Sequence, residues 1–146
     1  MASFSVEPPS TAGDGWLAWL RVGEMWVNLA WVAAGGAIGA VSRYVLSVAL
    51  HTDSDFPAAT LAINIAGSLG IGLAWGAWAH LPWFQDWGRA FLAIGILGGF
   101  TTFSAFSLEA LTLLHTDRFA LAAIYVASSL AGCLIAVWLG YRLAVE

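Results

Sequence analysis

The residues with the most chemistry to offer lie close together in this sequence. Gly98 and Gly99 are followed by Thr101, Thr102 and Ser104, which gathers poor helix formers and hydroxyls that compete for backbone hydrogen bonds into one short stretch. That stretch falls in the middle of an apolar run from Trp87 to Leu114. The pattern predicts a helix broken at mid-span, and carbonyls freed at a half-helix end are a natural cation site at such depth. A second reading stays open, a kink whose backbone is satisfied by the Thr and Ser side chains. Other polar groups fall at matching depths. Asn64 lies one turn from Thr60, Glu109 lies two turns beyond the break, and Tyr125, Ser129 and Cys133 form an i, i+4, i+8 stripe. An ionisable group within a span is costly and is a functional candidate by default. For Asn, Ser and Thr, hydrogen bonding between helices is an equally good account.

The elements that must position these residues follow from composition. The chain has 146 residues, 60% hydrophobic and 10% charged, with a mean hydropathy of +0.81, whereas charged residues make up about a quarter of a soluble domain. A helix needs about 20 apolar residues to cross a bilayer. The apolar runs therefore read as four spans, about 25–50, 58–79, 87–114 and 119–144, behind a polar or interfacial tail, 1–24. Within the tail, Trp16 and Trp19 with Leu17 and Leu20 could form a short interfacial helix. No basic segment precedes them, so the tail is expected to stay uncleaved.

Little else fits in such a chain. There is no room for a soluble catalytic domain and no enzyme motif, so no catalytic residues are assigned. The single Cys133 excludes an internal disulfide and a Cys-based metal site, and His51, His80 and His115 have no ligand partner at helical spacing. A net charge of -4 with five basic residues, all arginine, argues against nucleic acid and against a polybasic lipid-binding patch.

Charge and aromatic placement bear on orientation. With four spans both termini share a side, which also carries Arg21, Arg89 and Arg142. Arg118 lies on the other, and Arg43 sits inside the first span near it. So weak a bias permits insertion in both directions. All nine tryptophans lie toward the terminal side, although aromatic belts normally occur on both faces. An inverted second copy would supply the missing belt. Small residues recur every four positions at Gly35 and Gly39 and at Ser68, Gly72 and Gly76, the stripe that lets helix backbones approach closely in lipid.

Three segments carry a resemblance. Gly35 to Tyr44 (GGAIGAVSRY), Thr60 to Ser68 (TLAINIAGS) and Gly98 to Phe106 (GGFTTFSAF) resemble, in order, the signatures of the CrcB/Fluc fluoride channels, and the likeness covers the chain after its tail. It implies an all-α membrane protein of four transmembrane helices, the third broken at mid-membrane, assembled as an antiparallel, dual-topology homodimer in the cell membrane. It also implies a structural sodium ion at the centre of that dimer, held by backbone carbonyls of Gly98 and Thr101, and two pores that conduct fluoride out of the cell. By motif position, Phe103 and Phe106 would be the aromatic pair of the fluoride path and Asn64 an amide donor. Tyr125 and Ser129 would belong to a polar track, with Thr60, Ser104 and Thr102 nearby. Glu109 would face a vestibule, and Arg43 would draw anions to a pore mouth. Two positions depart from the pattern: Ala105 stands where a Thr is usual, and Cys133 where a hydroxyl is common.

The residue chemistry suits that reading. Fluoride is small and strongly hydrated, so its path must replace water with donors and positive partial charge. Amide N–H groups, hydroxyls and the edges of aromatic rings supply both. A dual-topology multidrug transporter is the alternative of a different class, but it needs a carboxylate in the first span, and Met25 to Leu50 holds none. A purely structural helix bundle would leave the polar third span unexplained.

Overall fold

A computed structural model describes residues 22–146; the expected interfacial helix around Trp16 and Trp19 lies outside them. Helix α1 spans Val22–Ala49 and α2 spans Ala58–Trp78. Helix α3 covers Phe84–Leu97 and continues through Gly98–Phe100, α4 spans Phe103–His115, and α5 spans Phe119–Val145. Among the described residues, the segments long and apolar enough to cross a membrane are Met25–Ala49, Ala58–Trp78, Phe84–His115 and Phe119–Val145.

The connections are set by local chemistry. Proline cannot continue a helix from its interior, and Pro57 stands at the N-cap of α2. The connection between α4 and α5 turns on Asp117, whose φ of 58° is left-handed, a conformation Asp tolerates better than most residues. Arg118 pairs with Asp55 and ties this connection to the one between α1 and α2. The third span begins at Phe84, three residues before the expected Trp87. Asp86 falls in its first turn, where a negative charge meets the positive helix end favourably.

Packing divides the molecule into two helix pairs, α2 with α5 and α1 with α3. Glycines permit both. A Cβ on Gly72 would overlap the carbonyl of Val137, one on Gly140 the carbonyl of Leu69, and one on Gly39 the carbonyl of Ile96. Such backbone contact is how helices cohere in lipid, where burial of apolar surface gives no drive for one helix to seek another. Ser68 departs from its stripe, since it lines a cavity instead.

At one end, where α2 finishes and α3 begins, Trp78, Trp83, Phe84 and Trp87 form a continuous run of ring contacts with centroids 5.5–6.5 Å apart. Trp31 of α1 joins it at 5.1 Å from Trp87. Arg89 lies over the Trp75 ring, 5.8 Å from its centroid.

The third span is unusual along its length. From Phe84 to Leu97 it hydrogen-bonds in the π pattern, which is rare and usually confined to single-turn bulges. After Phe100 the backbone becomes extended at Thr101 (φ -83°, ψ 157°) and Thr102 (φ -150°, ψ 118°). The two pieces nevertheless run on with a bend of only 16°. The expected break is thus, in this structure, a two-residue extended step inside one membrane-length span and not a change of helix direction.

Candidate functional site

Extended backbone inside a span leaves main-chain groups without helical partners, and each must be paired where water is scarce. Asn64 of α2 does this for Thr102. Its Oδ1 accepts from the Thr102 N–H at 2.8 Å and its Nδ2 donates to the Thr102 carbonyl at 3.0 Å. The Thr102 hydroxyl in turn caps α4 by accepting from the Ala105 N–H at 3.2 Å, and the Ser104 hydroxyl lies 3.2 Å from it. Thr101 Oγ1 donates to the Leu97 carbonyl at 2.9 Å, and Arg43 Nε donates to the Gly99 carbonyl at 3.1 Å.

These bonds free two other oxygens. In a regular helix the Gly98 carbonyl would accept from the Thr102 N–H, and the Thr101 carbonyl from the Ala105 N–H. Both donors are turned elsewhere, to Asn64 and to the Thr102 hydroxyl. The residues expected to hold a cation therefore present carbonyls stripped of their ordinary partners. Among the described residues no three His, Cys, Asp or Glu side chains gather. Gly67 makes room for the step, because a Cβ there would overlap the Thr101 methyl.

Beside the step is a cavity of about 390 Å³. Asn64, Thr102, Phe103, Phe106 and Ser129 line it, and Gly98 and Thr101 border it too. The Ser129 hydroxyl is buried and has no hydrogen-bond partner among the described residues. Phe106 is buried, with its ring centroid 5.3 Å from Phe103 on one side and 5.3 Å from Tyr125 on the other. Phe103 is 73% exposed, so only one ring of the pair is enclosed by this chain.

A second polar cluster stands behind Phe106. Glu109 Oε1 accepts from the Thr60 hydroxyl at 2.7 Å, and its Oε2 accepts from the Tyr125 hydroxyl at 2.5 Å. Tyr125 is fully buried, with Phe56 edge-on to it at 5.7 Å. None of Thr60, Glu109 and Tyr125 lines the cavity, and neither do Arg43 and Ser104. The site residues thus form two groups, one around the step and cavity and one around Glu109, with the Phe106 ring between them.

Two further lining residues carry a hydroxyl or thiol, Ser68 and Cys133. Cys133 was already on the stripe with Ser129 but was assigned no role. Ser68 was read as part of a packing stripe, although it lies one helical turn from Asn64, and that spacing could have found it.

Four membrane-length helices among the described residues, the second, third and fourth of which line a cavity beside a polar step, define a multi-pass membrane protein. The chain belongs to the CrcB family: residues 30–141 match the family described as CrcB-like protein, Camphor Resistance. Curated relatives are similar over most of their length. The fluoride-specific ion channel FluC 1 of Bradyrhizobium diazoefficiens is 44% identical over 121 residues, covering 79% of this chain and 82% of that one. The fluoride-specific ion channel FluC of Paramagnetospirillum magneticum is 45% identical, covering 79% and 93%. That of Azotobacter vinelandii is 46% identical, covering 75% and 90%. The relatives are ion channels, not enzymes, and this chain is a multi-pass protein of the cell membrane.

Proposed function

We propose that this protein is a fluoride channel through which fluoride leaves the cell passively. The observation that carries the proposal is the cavity, where donors converge beside an aromatic ring. The Ser129 hydroxyl is unpartnered there, and an amide nitrogen has two hydrogens, of which Asn64 uses one on Thr102. The Phe106 ring stands in the same wall and can present a positive edge to an anion. The names of the relatives point to the same ion.

The working unit in this reading is an antiparallel homodimer with two pores and a structural sodium ion at its centre. The exposure of Phe103 fits a path that a second copy completes. The freed carbonyls of Gly98 and Thr101 fit an oxygen-loving cation and would hold the sodium, which supplies positive charge close to an anion path.

Proteoliposomes loaded with mixed halide test the function. The expected result is rapid passive release of fluoride with chloride retained, read with ion-selective electrodes; equal release of chloride would defeat it. The arrangement is tested separately. Ser54→Cys in the exposed connection between α1 and α2, on a Cys133→Ser background, is expected to label from both sides of the membrane. Labelling from one side alone would overturn the antiparallel dimer.

A further inference from the structure

Cys133 is the only cysteine in the chain, it is a free thiol, and it lines the cavity one helical turn from Ser129. The state of Ser129 says what the cavity holds. A buried hydroxyl with no partner keeps its full desolvation penalty, and Ser129 is 6% exposed with its oxygen unpaired among the described residues. Such a group is satisfied when a polar guest stands against it. The cavity, about 390 Å³, has room for several waters at about 30 Å³ each. A polar guest at Ser129 would stand on the face of α5 that also carries the thiol.

We propose that Cys133 is an inhibitory site for small thiophilic mercury compounds of the methylmercury class. The cavity's chemistry selects that class. Much of its wall is apolar, with Leu97, Leu130, Leu134 and the two phenylalanines among the lining residues, so a small neutral species such as methylmercury chloride enters without the desolvation cost that a charged reagent would meet. The reaction is a simple exchange. The S–H bond of Cys133 breaks and its proton passes to water, the Hg–Cl bond breaks and chloride leaves, and an S–Hg bond forms; nothing is oxidised or reduced. The adduct fills space between Ser129 and the phenylalanine pair. With a hydroxyl at position 133 in place of the thiol, the same cavity would not hold mercury, because soft metals select sulfur over oxygen.

The consequence for flux rests on the fluoride reading above, whereas formation of the adduct does not, and the test separates them. The full chain in proteoliposomes is treated with methylmercury chloride, and both fluoride efflux and intact mass are measured. One adduct per folded chain with loss of efflux is expected, both reversed by dithiothreitol. Efflux of Cys133→Ser, or of Cys133→Ala should the first variant not fold, is expected to be the same with and without reagent. An adduct that forms only after denaturation would show that the thiol is packed away and would overturn the site. An adduct that leaves efflux unchanged would overturn its inhibitory role. If the untreated protein releases no fluoride, the proposed function fails, while the mass measurement still decides whether the thiol is reached.

Discussion

Asn64 and Thr102 are joined by a reciprocal pair of hydrogen bonds, amide to carbonyl and N–H to amide oxygen, at 3.0 and 2.8 Å. One side chain thereby replaces the main-chain partner that the Thr102 N–H loses by being extended within a span, and adds a second donor to a carbonyl that starts α4 as its N-cap. The same pairing takes the Thr102 N–H from the Gly98 carbonyl, so the oxygen proposed to face a cation depends on a side chain of another helix.

Asn64 variants should separate this bracing from donation to an anion. Asn64→Ala leaves the Thr102 N–H without its partner, at a cost of about 1–3 kcal/mol for a group held away from water, and takes one donor from a carbonyl that still accepts the first bond of α4. Asn64→Asp keeps the acceptor but sets a carboxylate oxygen against the Thr102 carbonyl. Both variants are expected to unfold at lower temperature in detergent and to pass less fluoride. An unchanged unfolding midpoint in both would show that the clamp contributes nothing to stability.

Gly67 and Thr101 form a steric pair that predicts a rescue. A Cβ on Gly67 would overlap the Thr101 methyl, so Gly67→Ala must push Thr101 away from its present position. Thr101→Ser removes that methyl and keeps the hydroxyl that donates to Leu97. The double variant is therefore expected to recover stability and efflux that Gly67→Ala loses, a coupling that a double-mutant cycle measures. Additive losses in the cycle would exclude the contact as the cause.

How much of this was legible in the sequence depends on range. The spans, their connections and the close helix pairs follow from hydropathy, proline and glycine spacing, all of them local signals. The weak helix formers Gly and Thr led to the expectation of a helix broken at mid-span, whereas the structure has a two-residue extended step in a span that runs on with a bend of only 16°. That small bend was not legible, since Asn64 and packing against α2 and α5 hold α4 in line. Nor did the sequence tell that Glu109 would meet Thr60 and Tyr125, 49 and 16 residues away along the chain. Arg43 was expected at a pore mouth because it matches the basic residue of the first signature; its bond to the Gly99 carbonyl depends on how α1 lies against α3.

Glu109 with its two hydroxyl donors predicts a coupled loss. Hydrogen bonds to a charged group contribute about 1.5–3 kcal/mol each. Tyr125→Phe and Thr60→Val each remove one donor to the carboxylate and are expected to lower the unfolding midpoint in detergent. Glu109→Gln removes the charge, after which Tyr125→Phe should cost much less than it does in the parent. Equal costs in the two backgrounds would mean that the Tyr125 hydroxyl does not depend on the carboxylate.

Phe106 poses the question of whether a ring in this position acts as filler or as part of the path. Exchanges between apolar side chains of similar size usually cost less than about 1.5 kcal/mol, and Phe106→Ile keeps an apolar group between Phe103 and Tyr125 while removing the ring edge. If the ring only fills space, efflux should follow stability and fall little. If its edge meets the anion, efflux should be lost while the unfolding midpoint moves only slightly. The second outcome is expected, because the ring shares the cavity wall with the unpartnered Ser129 hydroxyl and the Asn64 amide. Phe103→Ile is the companion test. With 73% of that residue exposed in the single chain, the change should leave the fold of one copy intact, so loss of efflux there would report on the path that the second copy completes. Parental efflux in both variants would return the two rings to packing.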